Sequence, residues 1–137
     1  MILALLLQAV PVPTTLGAIG RQALPPAGCA AFLWNTGEPR QLVAMATADP
    51  GVLRLSLDGK TLDLPRTTAE GAAARGLAVL SRYRAGDVSA ALELSAIERP
   101  DLRDGALAPE AMLTVERAGK DTVVMPVAGI IGCQPAR

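Results

Sequence analysis

The chain has 137 residues, of which 50% are hydrophobic and 19% are charged, so its composition is that of a folded globular domain rather than a disordered or fibrous chain. It contains no histidine, which excludes serine–histidine and cysteine–histidine catalytic pairs and zinc sites built on imidazole. Thirteen basic residues balance thirteen acidic ones. This balance argues against a nucleic-acid-binding surface, since such domains carry a clustered basic excess.

The first ten residues form an apolar run that is too short to cross a bilayer as a helix, which takes about 20 residues. The run is typical of the core of a secretory signal peptide, although no basic residue precedes it and no A-x-A cleavage site follows it. We predict a signal-peptide-like segment over residues 1–20, with the mature chain beginning between about Thr14 and Arg21. Residues 21–137 then form one β domain. The alternative is that the apolar run is a buried first strand or helix.

Two cysteines, Cys29 and Cys133, lie near the two ends of this predicted domain. In an exported chain an even pair predicts one disulfide, which here would join the first structured segment to the last. Two alternatives are open. The cysteines are unrelated reduced thiols in a cytosolic protein, or Cys29 is lipidated, since the small residues Ala27 and Gly28 precede it.

Glycine and proline divide the chain into short stretches, which favours many short strands over a few long helices. The clearest strand is 52–57, where leucines alternate with polar residues. Asp58-Gly59 follows at once and predicts a tight hairpin turn, because this dipeptide readily adopts positive φ. Residues 61–64 complete the hairpin, and Pro65 is predicted to end it. Two earlier strand candidates are 30–34 and 41–47.

Residues 67–80 allow two interpretations. Thr67 and Glu70 have the spacing of a helix capping box, but two glycines within the stretch disfavour a helix. We favour a loop as far as Gly76 and then a second hairpin. The strands of that hairpin are 77–84 and 88–98.

A polar connection over 99–109 precedes the last predicted hairpin, whose strands are 110–117 and 121–127. Residues 127–133 form an apolar tail that needs cover. Counted in this way, the chain has about eight short strands joined by turn residues. The sequence therefore predicts an all-β fold, a small antiparallel β-sandwich or barrel.

No motif points to a catalytic, metal or cofactor site, and we predict none. Asp101 and Asp104 alternate with arginines and are typical of a solvated loop. An enzyme would instead use carboxylates such as Asp101, Asp104 or Glu110 for acid–base chemistry. A serine–lysine pair would have to use Lys60 or Lys120, but no pattern fixes either lysine in a pocket.

A possible binding surface lies between residues 75 and 87, where Arg75, Arg82 and Arg84 occur with the single tyrosine, Tyr83. Arginine and tyrosine are over-represented at binding hot spots. The alternative is that the arginines face outward from an edge strand and discourage pairing with other sheets.

The layout of several short motifs resembles a known family. A cysteine precedes the first strand, a Leu-Asp-Gly-Lys-Thr hairpin covers 57–61, small residues and glycines follow over 67–76, a Tyr-x-x-Gly-Asp turn covers 83–87, and Cys133 ends the domain. This layout resembles the periplasmic inhibitors of C-type lysozyme over roughly residues 29–133. The resemblance implies a small antiparallel barrel that is closed by a terminal disulfide.

The chain departs from that family at the inhibitory contact. The Ser-Ala-Ser-Gly stretch that carries the inhibitory serine is here part of residues 67–71, and arginine or alanine stands where a lysine is expected before the later Gly-Asp. The resemblance therefore implies the barrel more than the inhibition.

The sequence predicts a periplasmic or secreted β domain of a bacterial type, without catalysis, which binds another envelope protein or a cell-wall component. It predicts no nucleic-acid partner and no transmembrane helix in the mature chain. The alternatives are an inhibitor of a cell-wall hydrolase, as the resemblance implies, and a carboxylate-dependent hydrolase.

Overall fold

The computed structural model describes residues 15–99, 101–102 and 105–134, and these fold into nine β-strands with no helix. The all-β prediction is therefore confirmed. In chain order the strands are β1 (Leu16–Gly17), β2 (Gly28–Asn35), β3 (Leu42–Thr47), β4 (Val52–Leu57), β5 (Lys60–Glu70), β6 (Leu80–Ala85), β7 (Val88–Leu94), β8 (Gly105–Arg117) and β9 (Val123–Gln134). Within the described ranges, no helix has the length and apolar character to cross a membrane.

Strands β2 to β9 form a closed antiparallel barrel of eight strands, in which each strand pairs with its neighbour along the chain. The closing pair is β2 with β9, from Gly28 opposite Gln134 to Asn35 opposite Val127. The two-residue β1 is an extra strand that pairs with the end of β4. Of the two predicted architectures, sandwich or barrel, the structure has the barrel, which leaves no long unpaired sheet edge.

Side chains at alternate positions of the strands fill the barrel. On β4 the leucines Leu53, Leu55 and Leu57 are at most 1% exposed, as the alternation of the sequence predicts. They belong to one contiguous buried cluster to which every strand from β2 to β9 contributes. An eight-stranded barrel is just wide enough for side chains to fill, and here the interior is a packed core.

The predicted turn at Asp58-Gly59 is confirmed, with φ of 53° and 82° at the two residues. The prediction that Pro65 ends the following strand is wrong, since β5 continues to Glu70. The reason is a change of partner within β5. The strand pairs with β4 as far as Pro65 and with β6 from Arg66 onward, so Pro65 lies where its missing amide donor interrupts neither ladder.

Residues 71–79 close one end of the barrel. Neither the helix nor a strand from residue 77 is present, because the segment folds into a turn instead. Arg75 and Gly76 have φ of 54° and 82°, and Ala74 bridges Leu77 on either side of them. Leu77 is 3% exposed and joins the core cluster. The loop therefore contributes the apolar side chain of Leu77 to the core. The second hairpin begins only at Leu80.

The last hairpin is longer than predicted. β8 begins at Gly105, inside the predicted polar connection, and β9 continues through the predicted tail to Gln134. The two strands pair over this extra length because a β-bulge at Pro109 and Glu110 shifts the register and bends β8. The apolar tail is thus covered by its own neighbours in the barrel.

Two features hold the junction of β2 and β9. Cys29 and Cys133 lie opposite each other with Cα atoms 4.0 Å apart and form the predicted disulfide. Further along the same pair, the backbone of Gly129 approaches Phe32 so closely that a β-carbon at Gly129 would overlap the Phe32 carbonyl oxygen. Glycine at 129 is therefore a condition for closing this barrel.

Residues 15–27, called here the N-terminal segment, lie on the outside of the barrel. β1 pairs with β4, and the Ile19 amide donates a hydrogen bond of 2.9 Å to the Leu42 carbonyl. Ile19 also packs on a small second apolar cluster on the outer face of β2 and β3, whose other members are Ala30, Phe32, Trp34, Leu42 and Met45. Part of the segment assigned to the leader, residues 15–20, is thus packed against the barrel.

Candidate functional site

The structure does not bring the four residues of the predicted binding surface together. Arg82 and Arg84 are exposed on the outer face of β6, but Tyr83, between them, points into the barrel and is 1% exposed. Arg75 lies in the loop at the barrel end, where its guanidinium pairs with Glu98 at 3.2 Å. Including the Tyr83 side chain in this surface was wrong, because successive residues of a strand face opposite sides.

Tyr83 is part of the core rather than of a site. Burial raises the pKa of its phenol, while the nearby Ser81 hydroxyl and Arg66 guanidinium act in the opposite direction. Within the described residues the phenol oxygen has no partner with hydrogen-bond geometry, Ser81 included. Its contribution is the buried ring, which is the largest fully buried side chain of the barrel.

The carboxylates considered for acid–base chemistry lie in separate places. Asp101 accepts a hydrogen bond of 3.1 Å from its neighbour Arg99, as in a solvated loop. Asp104 lies outside the described residues. Glu110 is exposed at the bulge of β8 and lines the cavity described next.

An open groove of about 960 Å³ lies across the outer face of β5 to β9. Five outward residues follow one another in register across its floor. Glu70 pairs with Leu80, Leu80 with Glu93, Glu93 with Met112, and Met112 with Pro126. We call this cavity the outer groove and these five residues its transverse row.

The wall of the outer groove at the end of β5 is fixed by a close backbone approach. Gly71 has φ of 71°, and its carbonyl accepts a hydrogen bond of 3.3 Å from the Val79 amide. A β-carbon at Gly71 would lie 3.1 Å from the Val79 side chain. Glycine there lets the chain return on itself, which places Val79 at the rim of the groove.

The opposite wall is formed by the bulge of β8. The backbone carbonyl of Glu110 accepts hydrogen bonds from the amide and from the hydroxyl of Ser95, at 3.1 and 2.8 Å. Bulges re-aim side chains away from the regular alternation of a strand. The pinned backbone therefore holds Glu110 beside the transverse row.

The outer groove is acidic and apolar. Its lining contains Glu70, Glu93 and Glu110 but no lysine or arginine. Within the described residues none of these three carboxylates has an ion-pair or side-chain hydrogen-bond partner, whereas Asp58, Asp63, Glu98 and Asp101 are each paired with an arginine. The same part of the chain holds no group of three acidic or cysteine side chains close enough to bind a metal ion. The glutamates are therefore spread along the groove.

A different arrangement occupies the end of the barrel at the β4–β5 turn. The Thr15 amide donates a hydrogen bond of 2.9 Å to Asp58 Oδ1, and Arg117 Nη1 donates one of 2.7 Å to Oδ2. These hydrogen bonds, that from Thr15 foremost, lower the pKa of the Asp58 carboxyl. Asp58 thus ties the N-terminal segment and the end of β8 to one turn.

Local sequence patterns do not reveal the outer groove. Its residues come from positions between 36 and 127 and meet only through the register of the barrel. A weaker signal is present within single strands, because Glu93 interrupts an otherwise small or apolar outward face of β7 and Met112 lies on the outward face of β8.

Comparison with known proteins adds no relative. No family model, curated protein or solved structure matches this chain.

Proposed function

We propose that this chain is an exported, non-catalytic β-barrel domain that binds another component of the cell envelope through the outside of the barrel. The observation that carries the proposal is the combination of a side-chain-filled interior with an open groove of about 960 Å³ on the outer surface. Binding sites are concave and largely apolar, with a few polar groups that give specificity. In this barrel the outer groove has that character.

Export is supported by the disulfide and by the apolar N-terminal run. Disulfides form and persist in oxidising compartments and are rare in the cytosol. The bond between Cys29 and Cys133 joins the first and last strands of the barrel. The packing of Ile19 on the barrel favours a mature chain that begins no later than Thr15, since later cleavage would remove β1.

Intact-mass spectrometry of the protein recovered from cells that express the full chain tests the proposal. We expect a cleaved protein that keeps Thr15 and is two hydrogens lighter than its reduced form. A matched Cys29→Ser variant serves as the control, since it cannot form the bond and shows no such loss. A reduced protein that still begins with Met1 would refute export.

Binding through the outer surface is tested in the same cells with a photo-crosslinking residue. Placed at Met112 in the groove, it should capture a discrete partner, whereas placed at Thr61 it should not. Thr61 is exposed near the start of β5, at the opposite end of that strand from Glu70 of the groove. Equal labelling from the two positions, or none from either, would count against a binding face in the groove.

Inhibition of a cell-wall hydrolase is a second candidate. The closed barrel with its disulfide between β2 and β9 is the fold that the resemblance to lysozyme inhibitors implies, which supports this candidate. Purified oxidised protein should then slow lysis of a peptidoglycan suspension by a C-type lysozyme at stoichiometric ratios. Absence of inhibition at a large excess would dismiss this candidate and leave the first one standing.

A further inference from the structure

We propose that the outer groove binds an extended peptide segment of a partner protein in which lysine or arginine residues are interspersed with aliphatic ones. The inference specifies the partner and so rests on the proposed function. It follows from three properties of the groove: its exposed apolar floor, the sign of its charges and the spacing of those charges.

The apolar floor is exposed although the barrel covers an equivalent surface elsewhere. Met112 in the floor and Val79 at the rim are 38% and 47% exposed, and Leu80 and Pro126 also lie in the floor. On the outer face of β2 and β3, by contrast, Ile19 of the N-terminal segment packs on the apolar cluster and leaves a smaller cavity of about 540 Å³ beside it. Within the described residues no segment lies over the groove in the same way. Burial of its floor against a partner would gain the hydrophobic stabilisation that the other face obtains from its own chain.

The charges select a cationic ligand. No lysine or arginine is among the residues that line the groove with Glu70, Glu93 and Glu110, so the potential inside the groove is negative. Anionic ligands such as nucleic acid or acidic lipid are repelled by this lining. Arg82 lies at the next outward position of β6 after Leu80 and bounds the acidic lining on that side, where it would repel a cationic ligand that left the groove in that direction.

The spacing favours an extended segment over a single cation. The transverse row crosses five strands, which corresponds to about 19 Å because neighbouring strands lie about 4.8 Å apart. Acidic and apolar side chains alternate in it from Glu70 through Leu80 and Glu93 to Met112. An extended peptide whose cationic and aliphatic side chains lie on the same face can contact both the acidic and the apolar positions along that length.

Fluorescence anisotropy with short labelled peptides tests the inference on the exported, oxidised protein. The probe, called the lysine–leucine peptide, is a ten-residue peptide of the repeat Lys-Ser-Leu-Ser, which places lysine and leucine in turn on one face of an extended chain. Its partners have the same length and carry glutamate in place of every lysine (the glutamate–leucine peptide) or serine in place of every leucine (the lysine–serine peptide). We expect binding of the first peptide only, with affinity that weakens as salt rises. Tighter or equal binding of the glutamate–leucine peptide would overturn the inference.

Charge-matched variants locate the contact. The double variant E70Q/E93Q should lower the affinity for the lysine–leucine peptide about tenfold, since two ion pairs are lost. The control E38Q/E116Q removes the same number of negative charges from exposed positions outside the groove and should change affinity less than about twofold. Equal losses in the two variants would mean that general charge attraction, and not the groove, accounts for binding.

The segment captured from Met112 by photo-crosslinking separates this inference from the proposed function. A captured peptide that is rich in lysine or arginine and in aliphatic residues supports both. A captured neutral or acidic segment overturns the inference while the proposed function stands. If Met112 captures nothing beyond the labelling seen at Thr61, both fail.

Discussion

The two outer faces of this barrel carry apolar residues, but only one of them is covered by the chain itself. On β2 and β3, Phe32 and Met45 lie beneath the N-terminal segment, and Met45 is 7% exposed. On β8, Met112 occupies a comparable outward position in the outer groove and is 38% exposed. Outward apolar residues are therefore packed by the chain itself on the first face and exposed on the second, which is where we propose that a partner binds.

The charged side chains also differ between the covered face and the outer groove. On the covered side Arg54 pairs with Asp63 at 2.8 Å and also contacts Gln22 of the N-terminal segment at 2.7 Å. This ion pair lowers the pKa of the Asp63 carboxyl. The glutamates of the open groove have no such partner within the described residues. On the covered side Arg54 is thus held by groups of the chain itself, and the proposal above assigns the unpaired groove glutamates to a cationic ligand.

The largest effect on stability is expected at Gly129, where β9 pairs with β2. Gly129→Ala should cost about 3 kcal/mol or more, because its β-carbon would overlap the backbone of Phe32 and overpacking against backbone cannot be relieved by a rotamer change. The matched control is Gly132→Ala, whose nearest neighbour is the flexible end of Leu24 at 3.2 Å and which should cost about 1 kcal/mol or less. Equal urea midpoints for the two variants would contradict this close approach.

Loss of the disulfide is the next largest effect. The bond closes a loop of 104 residues, and removal of a native disulfide from a small domain typically costs about 2–5 kcal/mol. The double variant C29S/C133S should show this loss by urea unfolding, and dithiothreitol should destabilise the wild type but not the variant. A wild-type protein that is indifferent to dithiothreitol would show that closure of the barrel does not depend on the bond.

The two methionines compare the faces directly. Met45→Ala should destabilise the protein by about 2 kcal/mol or more, as for a buried large-to-small change, whereas Met112→Ala should change stability by about 0.5 kcal/mol or less. Met112→Ala should instead weaken binding of the lysine–leucine peptide, which Met45→Ala should leave unchanged in the folded protein. If Met112→Ala destabilised the protein and Met45→Ala weakened peptide binding, the distinction between a covered and an open face would not hold.

The smallest effect concerns the anchor of the N-terminal segment. The lowered pKa of Asp58 means that its ionised form favours the folded state, so its contribution is present above the unfolded pKa of about 4 and disappears as pH falls through the folded pKa. Asp58→Asn keeps a residue that tolerates positive φ and should be less stable than wild type at pH 7.

The urea midpoints of the two proteins should converge as the pH falls below the lowered pKa of Asp58. Glu70→Gln is the control, since it changes an exposed carboxylate at the opposite end of β5 from the Asp58 turn and should leave the midpoint unchanged. If the difference in urea midpoint between Asp58→Asn and wild type stayed constant across the acid range, the ionised Asp58 carboxylate would not be the source of the stabilisation.

Much of the fold is predictable from local patterns, and the site is not. The leucine alternation on β4 and the Asp58-Gly59 turn are local signals, and both predictions hold. The passage of β5 through Pro65 depends on a change of partner strand, which no local pattern records. Alternation along β6 places Tyr83 on the opposite face from Arg82 and Arg84, so the sequence alone is enough to exclude Tyr83 from their surface. The transverse row needs the register of five strands.

Methyl NMR of the oxidised protein labelled at methionine tests most directly whether the open face is the binding face. Met112 reports on the outer groove and Met45 on the covered face. Met125, a half-buried residue of β9 that packs against the core, reports on the barrel interior. Addition of the lysine–leucine peptide should shift the Met112 methyl resonance progressively and leave those of Met45 and Met125 in place. Shifts at Met45 or Met125 with Met112 unmoved would show that the ligand enters beneath the N-terminal segment or into the barrel, and would contradict the account.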